Sequence, residues 1–139
     1  MTLDRFIEAQ RRDYDLALSE LRQGRKRSHW IWYIFPQLAG LGRSSTSAFY
    51  GIQGFDEARA YLSHPILGSR LEACAQALLD LDGEPDITDV MGYPDDLKLR
   101  SSMTLFAEIA GDDSVFAQVL ARYYDGQKDP RTLALLAAD

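Results

Sequence analysis

An all-α fold, one compact domain of about six to eight short helices over residues 1–139, is predicted by three features of this sequence. Apolar residues recur at steps of three, four and seven, the period of an amphipathic helix. Glycine and proline punctuate the chain at short intervals: Gly24, Gly40 to Gly42, Gly54, Pro65, Gly83 to Pro85, Gly92 to Pro94, Gly111, Gly126 and Pro130. No segment alternates apolar and polar residues convincingly enough for a half-buried strand. With 139 residues, 46% hydrophobic and 26% charged, the chain is long enough to bury a core without a disulfide or structural metal.

The first segment sets Leu3, Ile7, Tyr14, Leu18 and Leu21 on one helical face, interrupted at Gln10 and Arg11. A polar residue on such a face is either its edge or a group aimed into a cavity. Trp30 to Phe35 is the ambiguous run, aromatic and apolar enough for a buried strand or a helix. Between Gly54 and Asp82 lie two helices. One is capped near Asp56 and carries Ala58, Tyr61 and Leu62; the other has Pro65 in its first turn and Leu67, Leu71, Cys74, Ala75 and Leu78 on its core face. His64 is a turn residue at their junction, and Cys74 is a buried structural thiol rather than a nucleophile. After Pro94, Leu99, Met103, Phe106, Ala107 and Ala110 define another buried face, closed by Gly111. Asp112, Asp113 and Ser114 cap the next helix, which carries Val115, Phe116, Val119, Leu120, Tyr123 and Tyr124. Asp129-Pro130 opens the last, with Leu133, Leu135 and Leu136.

Charge narrows the function. The net charge is −6 and the pI about 4.8, which argues against a general affinity for nucleic acid or anionic lipid. Met1 to Gln10 mixes charged with apolar residues, and no apolar run approaches the roughly 18 residues that span a bilayer. Two histidines and the lone Cys74 cannot form a tetrahedral zinc site without carboxylates. The expectation is a soluble, unprocessed, cytoplasmic protein without membrane contact. No residue pattern specifies a cofactor or an oligomer. Yet from Leu21 to Phe55 there is no Asp or Glu, while Arg22, Arg25, Lys26, Arg27 and Arg43 carry five positive charges, leaving −11 on the rest. Such a stretch is either a solvated basic turn beside an apolar segment or the lining of an anion site.

Three patches carry candidate chemistry, two of them inside this stretch. Ser28 to Gln37 holds both tryptophans, His29, Tyr33 and Phe35. If helical, His29, Trp32 and Tyr33 share one face and Trp30, Ile34 and Gln37 another, as a central core helix or a pocket wall. Gly40, Gly42, Arg43 and Ser44 follow, a turn plus helix cap or a loop whose N–H groups meet an anion. It is neither a Walker loop nor a Rossmann fingerprint. In the third patch Lys98, Ser101, Ser102 and Leu105 form one helical stripe, with the lysine on the surface or aimed into a pocket. The Ser-x-x-Lys order of serine hydrolases is reversed here.

These patches belong to longer motifs: Gly24-Arg25-Lys26, His29-Trp30-x-Trp32-x-Ile34-Phe35-Pro36-Gln37, Gly40-Leu41-Gly42-x-Ser44, Glu57-Ala58-x-Ala60-Tyr61-Leu62-x-His64-Pro65-x-Leu67-Gly68-x-Arg70-Leu71, and Asp96-Leu97-Lys98-Leu99-x-Ser101-Ser102-Met103-Thr104-Leu105-Phe106. From Phe6 to Leu136 the chain closely resembles an uncharacterised bacterial family, a domain of unknown function typified by an all-helical mycobacterial conserved hypothetical protein. Ile31 stands where that family usually has methionine, and Met91 where it usually has phenylalanine. The resemblance implies an all-α single domain and no established activity or catalytic residue. Its members are sometimes labelled calpastatin, but a calpain inhibitor of that kind is a disordered repeat protein, the opposite of this helical periodicity.

The residues themselves point to a small-molecule site for an anionic, nucleotide-like or sugar-phosphate ligand. Trp30, Trp32 or Tyr33 would stack on its flat part. Backbone N–H groups around Gly40 to Ser44, Gly42 among them, with Arg43 and Lys98, would meet its charge, and Gln10, Gln37, Ser102 and His29 would bond its polar edge, with Ser101 a further binding candidate. For an enzyme, His29 is the candidate general acid or base, with Ser44 or Ser47 as nucleophile if His29 reaches it and Asp96 orienting Lys98. The alternative is an interaction module that docks an acidic partner through the basic Arg22 to Arg27 turn. Nucleic-acid binding through that turn is opposed by the −11 elsewhere.

Overall fold

The computed structural model describes residues 2–139, so Met1 lies outside the described residues. Among them are nine helices and no strand: α1 (Asp4–Arg22), α2 (Ile31–Ile34), α3 (Ser45–Tyr50), α4 (Gly54–Ser63), α5 (Leu67–Leu79), α6 (Ile87–Met91), α7 (Asp95–Ala110), α8 (Val115–Tyr123) and α9 (Pro130–Ala137). The all-α reading holds. The count is one above the expected range because Asp86 caps a five-residue helix, α6, too short to show a period. The ambiguous Trp30 to Phe35 run is helical, as the four-residue α2. The one β pairing is an isolated parallel bridge in which the Ile52 N–H donates to Gln37 O and the Ala39 N–H to Ile52 O, both at 2.9 Å.

The buried apolar residues form one cluster, and α7 runs through it. Every residue from Ser101 to Ala107 is buried, so this helix is covered on all sides. It packs against α4, α6, α8 and α9, while α5 packs against α1, α4 and α8. An aromatic chain ties them together: Phe6 meets Tyr61 edge-on at 5.0 Å, Tyr61 lies 5.5 Å from Phe106, and Phe106 5.8 Å from Phe116.

Two faces differ from the sequence reading. On α1 the buried residues are Phe6, Ala9, Gln10, Ala17, Glu20 and Leu21, so Leu3, Ile7, Tyr14 and Leu18 flank the core instead of leading into it. The phase rotates because Gln10 and Glu20, polar on paper, find hydrogen-bond partners inside, Gln10 through its Nε2 while its buried Oε1 accepts none among the described residues. On α9 the buried residues are Thr132 and Leu136, and Leu135 is exposed. Helix α4 begins at Gly54 rather than near Asp56, which lies in its first turn. The turn role of His64 has a specific form: its ring Nδ1 accepts the Ile66 and Leu67 N–H groups at 3.1 and 3.2 Å and so caps the start of α5.

Candidate functional site

Where the loop after α2 meets the first turns of α7 and α9, a cleft of about 320 Å³ opens, lined by Gln37, Leu41, Gly42, Pro94, Leu97, Lys98, Arg100, Ser101, Asp129 and Arg131. Gln37 and Lys98 also line an adjoining recess with Trp32, Phe35, Ser47 and Tyr50. That recess offers about 10 Å³, room for roughly one water. The Nζ of Lys98 lies 5.2 Å over the Trp32 ring, whose Nε1 is buried without an acceptor.

The state of Lys98 is unlike that of the chain's other two lysines. Lys26 Nζ bonds Asp95 at 2.8 Å and Lys128 Nζ bonds Glu108 at 2.6 Å. Among the described residues Lys98 has no carboxylate within ion-pair distance and no hydrogen bond; its cation is met by the Trp32 ring alone. Among the described residues the one hydrogen bond of Arg131 goes to Leu41 O, at 3.5 Å, and Arg100 is fixed by Gln127 O and Lys128 O at 2.8 Å each. Against these three cations the lining holds one carboxylate, Asp129. Its Oδ2 caps α9 through the Thr132 N–H and hydroxyl, at 3.2 and 2.5 Å, and accepts from Ser101 Oγ at 3.0 Å.

Of the residues expected to bind, Trp32, Gln37, Gly42, Lys98 and Ser101 therefore meet around one cleft and its recess. The others have different surroundings. Trp30 is 1% exposed, its Nε1 donates to Glu20 Oε1 at 2.9 Å and Lys26 covers its ring, so the stacking role expected of it is a packing role instead. Tyr33 is buried too, donating its hydroxyl to the Asp13 carboxylate; burial together with that carboxylate pushes its pKa up to about 12. Gln10 is in the middle of the α1 core face, where its Nε2 donates to Tyr33 O at 2.7 Å and to the Tyr61 hydroxyl at 2.9 Å. Ser102 is fully buried within α7.

The glycine loop is a turn and a cap. Ser44 is the N-cap of the six-residue α3, accepting the Ser47 N–H and donating to the Ser47 hydroxyl, both at 3.0 Å. Gly42 is needed for closeness: a Cβ there would meet Ser47 Oγ at 2.3 Å. Gly40 and Arg43 are exposed and do not line the cleft. His29 is exposed before α2, outside both linings, and Ser47 bonds Ser44 rather than His29. Asp96 does not orient Lys98 either; its Oδ2 accepts from Thr88 on α6 at 2.7 Å.

The basic turn is less basic than its sequence. Lys26 is neutralised by Asp95 and packed on Trp30. Beneath the turn, Glu20 accepts the Arg27 and Ser28 N–H groups at 2.8 and 3.1 Å, the Ser28 hydroxyl at 2.7 Å and the Trp30 indole N–H. Burial pushes its carboxyl pKa up, but these bonds outweigh burial and hold it at about 2. Arg22, Arg25 and Arg27 remain exposed. Among the described residues no cluster of His, Cys, Asp and Glu is placed to hold a metal ion, and no helix is long and apolar enough to cross a membrane.

A protein family of unknown function, DUF1810, matches residues 1–136. The chain belongs to the DUF1810 family. It is similar in structure to the conserved hypothetical protein Rv1873 from Mycobacterium tuberculosis, known from a crystal structure. The two share 50% sequence identity over 97% of this chain and 96% of that one, with a TM-score of 0.92. The resemblance read from the motifs is thereby borne out. No curated protein matches at a significant level.

In this DUF1810 chain the cleft residues not among the binding candidates are Arg100, Asp129 and Arg131, with Leu41, Pro94 and Leu97 as apolar rim. Arg131 had left one signal. It is the second residue of α9, a basic residue just after the Asp129 cap and at the end of a helix where the dipole disfavours a cation.

Proposed function

We propose that this protein binds a small anionic ligand, of nucleotide-like or sugar-phosphate type, in the cleft between the loop after α2, the start of α7 and the start of α9. The observation that carries the reading is Lys98: a half-buried cation in a concave site, with no carboxylate within ion-pair distance, where the chain pairs both its other lysines. An incoming anion would gain charge-assisted hydrogen bonds from an ammonium that no carboxylate of the protein already occupies. Arg131 adds a second cation at a helix N-terminus, and the cleft volume lies at the lower end of small-molecule sites. The reading assigns binding and no reaction. A cytoplasmic location suits the single buried thiol, which needs no oxidising compartment.

Thermal unfolding of the purified protein with orthophosphate, ribose 5-phosphate and AMP tests it. A ligand at a hundred times its Kd should stabilise by about 2.7 kcal/mol and raise Tm by several degrees. Lys98→Ala should remove that shift, and Arg131→Ala should reduce it. Absence of a shift with all three compounds in the wild type overturns the reading.

A further inference from the structure

The cleft's single carboxylate specifies more than charge. Asp129 divides its two oxygens: Oδ2 takes the three bonds that cap α9 and hold Ser101, whereas Oδ1 accepts none among the described residues, although Asp129 lines the cleft. The structural duty is thus complete with one oxygen. A carboxylate lining the same cleft as Lys98 and Arg131 is a fault in a site for a bare anion, because it repels the ligand. It is an asset for a ligand that carries hydroxyls, since O–H···O⁻ bonds are among the stronger hydrogen bonds. Gln37, whose amide both donates and accepts, adds to the same polar edge.

Trp32 argues against a nucleobase. Lys98 covers its ring at 5.2 Å, and the recess beside it holds about 10 Å³, too little for a purine or pyrimidine to slide in and stack. The main cleft, at about 320 Å³, is sized for a compact molecule rather than a dinucleotide.

Resting on the anion-binding reading above, we infer that the ligand is a phosphorylated polyol or sugar, its phosphate held by Lys98 and Arg131 and a hydroxyl donating to Asp129 Oδ1. The test is calorimetric titration with methyl phosphate, ribose 5-phosphate and AMP as probes. Wild-type protein should bind ribose 5-phosphate at least about tenfold tighter than methyl phosphate, the worth of one hydrogen bond to a charged acceptor. AMP should bind no tighter than ribose 5-phosphate. Asp129→Asn keeps a residue able to cap α9. In that variant the preference for ribose 5-phosphate should fall to within about twofold, while methyl phosphate binds more tightly because a negative charge has left the cleft.

Equal affinity of the wild type for methyl phosphate and ribose 5-phosphate overturns this inference and leaves the anion-binding reading standing. AMP binding tenfold tighter than ribose 5-phosphate also overturns it, in favour of base recognition. No binding of any probe overturns both readings. The wild-type comparison decides the matter even if the Asp129→Asn variant fails to fold.

Discussion

Glu20 shows how one side chain makes an acid-free stretch workable. It is the last carboxylate before 35 residues without Asp or Glu, and it reaches forward to collect two backbone N–H groups, a hydroxyl and an indole from the turn that follows. The carboxyl is 5% exposed and its pKa is held at about 2, below the ordinary 4.5. A depressed folded-state pKa contributes stability that is fully present above the unfolded value and is lost as pH falls through the folded one. Wild-type Tm should therefore drop between about pH 4.5 and pH 2, with a contribution from this group on the order of 3 kcal/mol. Glu20→Gln should flatten the decline across that window and lower stability at pH 7. An unchanged Tm-against-pH curve in Glu20→Gln would show that other carboxylates set the acid limit. Glu20→Ala should cost at least about 3 kcal/mol, since it strands Trp30 Nε1 and its neighbours without an acceptor.

At the scale of elements, the periodicity fixes where helices lie better than which way they face. The faces of α5, α7 and α8 are legible because their apolar residues are unambiguous: Leu67, Leu71, Cys74 and Leu78; Leu99, Met103 and Phe106; Phe116, Val119 and Leu120 are all buried as their spacing predicts, while Ala110, at the exposed end of α7, departs from the expected face. The α1 face is misread because Gln10 and Glu20 obtain partners from residues 23 and 10 positions away, which no local pattern reports. Another element-level constraint is the α4–α5 contact. A Cβ on Gly68 would sit 2.0 Å from Leu62 O and 3.0 Å from its carbonyl carbon, so the two helices meet only because that side chain is missing. Gly→Ala in an exposed helix gains up to about 1 kcal/mol. Here the clash is with backbone, which cannot rotate away, and Gly68→Ala should instead cost about 2 to 3 kcal/mol in urea unfolding. A neutral or stabilising result would mean that α4 and α5 can separate without disturbing the core.

For the whole molecule, the site was half legible for the same reason. Trp32, Gln37, Lys98 and Ser101 carry their chemistry in short motifs, whereas Asp129 and Arg131 join them through the packing of α9 on α7, a contact between segments about thirty residues apart. Such convergence depends on the core acting as one unit, and Cys74 reports on that. It lies 1% exposed on α5, the helix that packs on α1, α4 and α8, and burial pushes its thiol pKa up to about 12. At pH 8 about one thiol in ten thousand is then thiolate, and even that fraction is out of reach of a reagent. Labelling by an aromatic disulfide should therefore await opening of the core. If the molecule unfolds as a unit, the opening free energy from the labelling rate should match the equilibrium stability and fall with urea at the same slope. Rapid labelling that ignores urea would mean that α5 opens locally while α7 and α9 stay packed, and the cleft would then stand on a smaller rigid body than the single core implies.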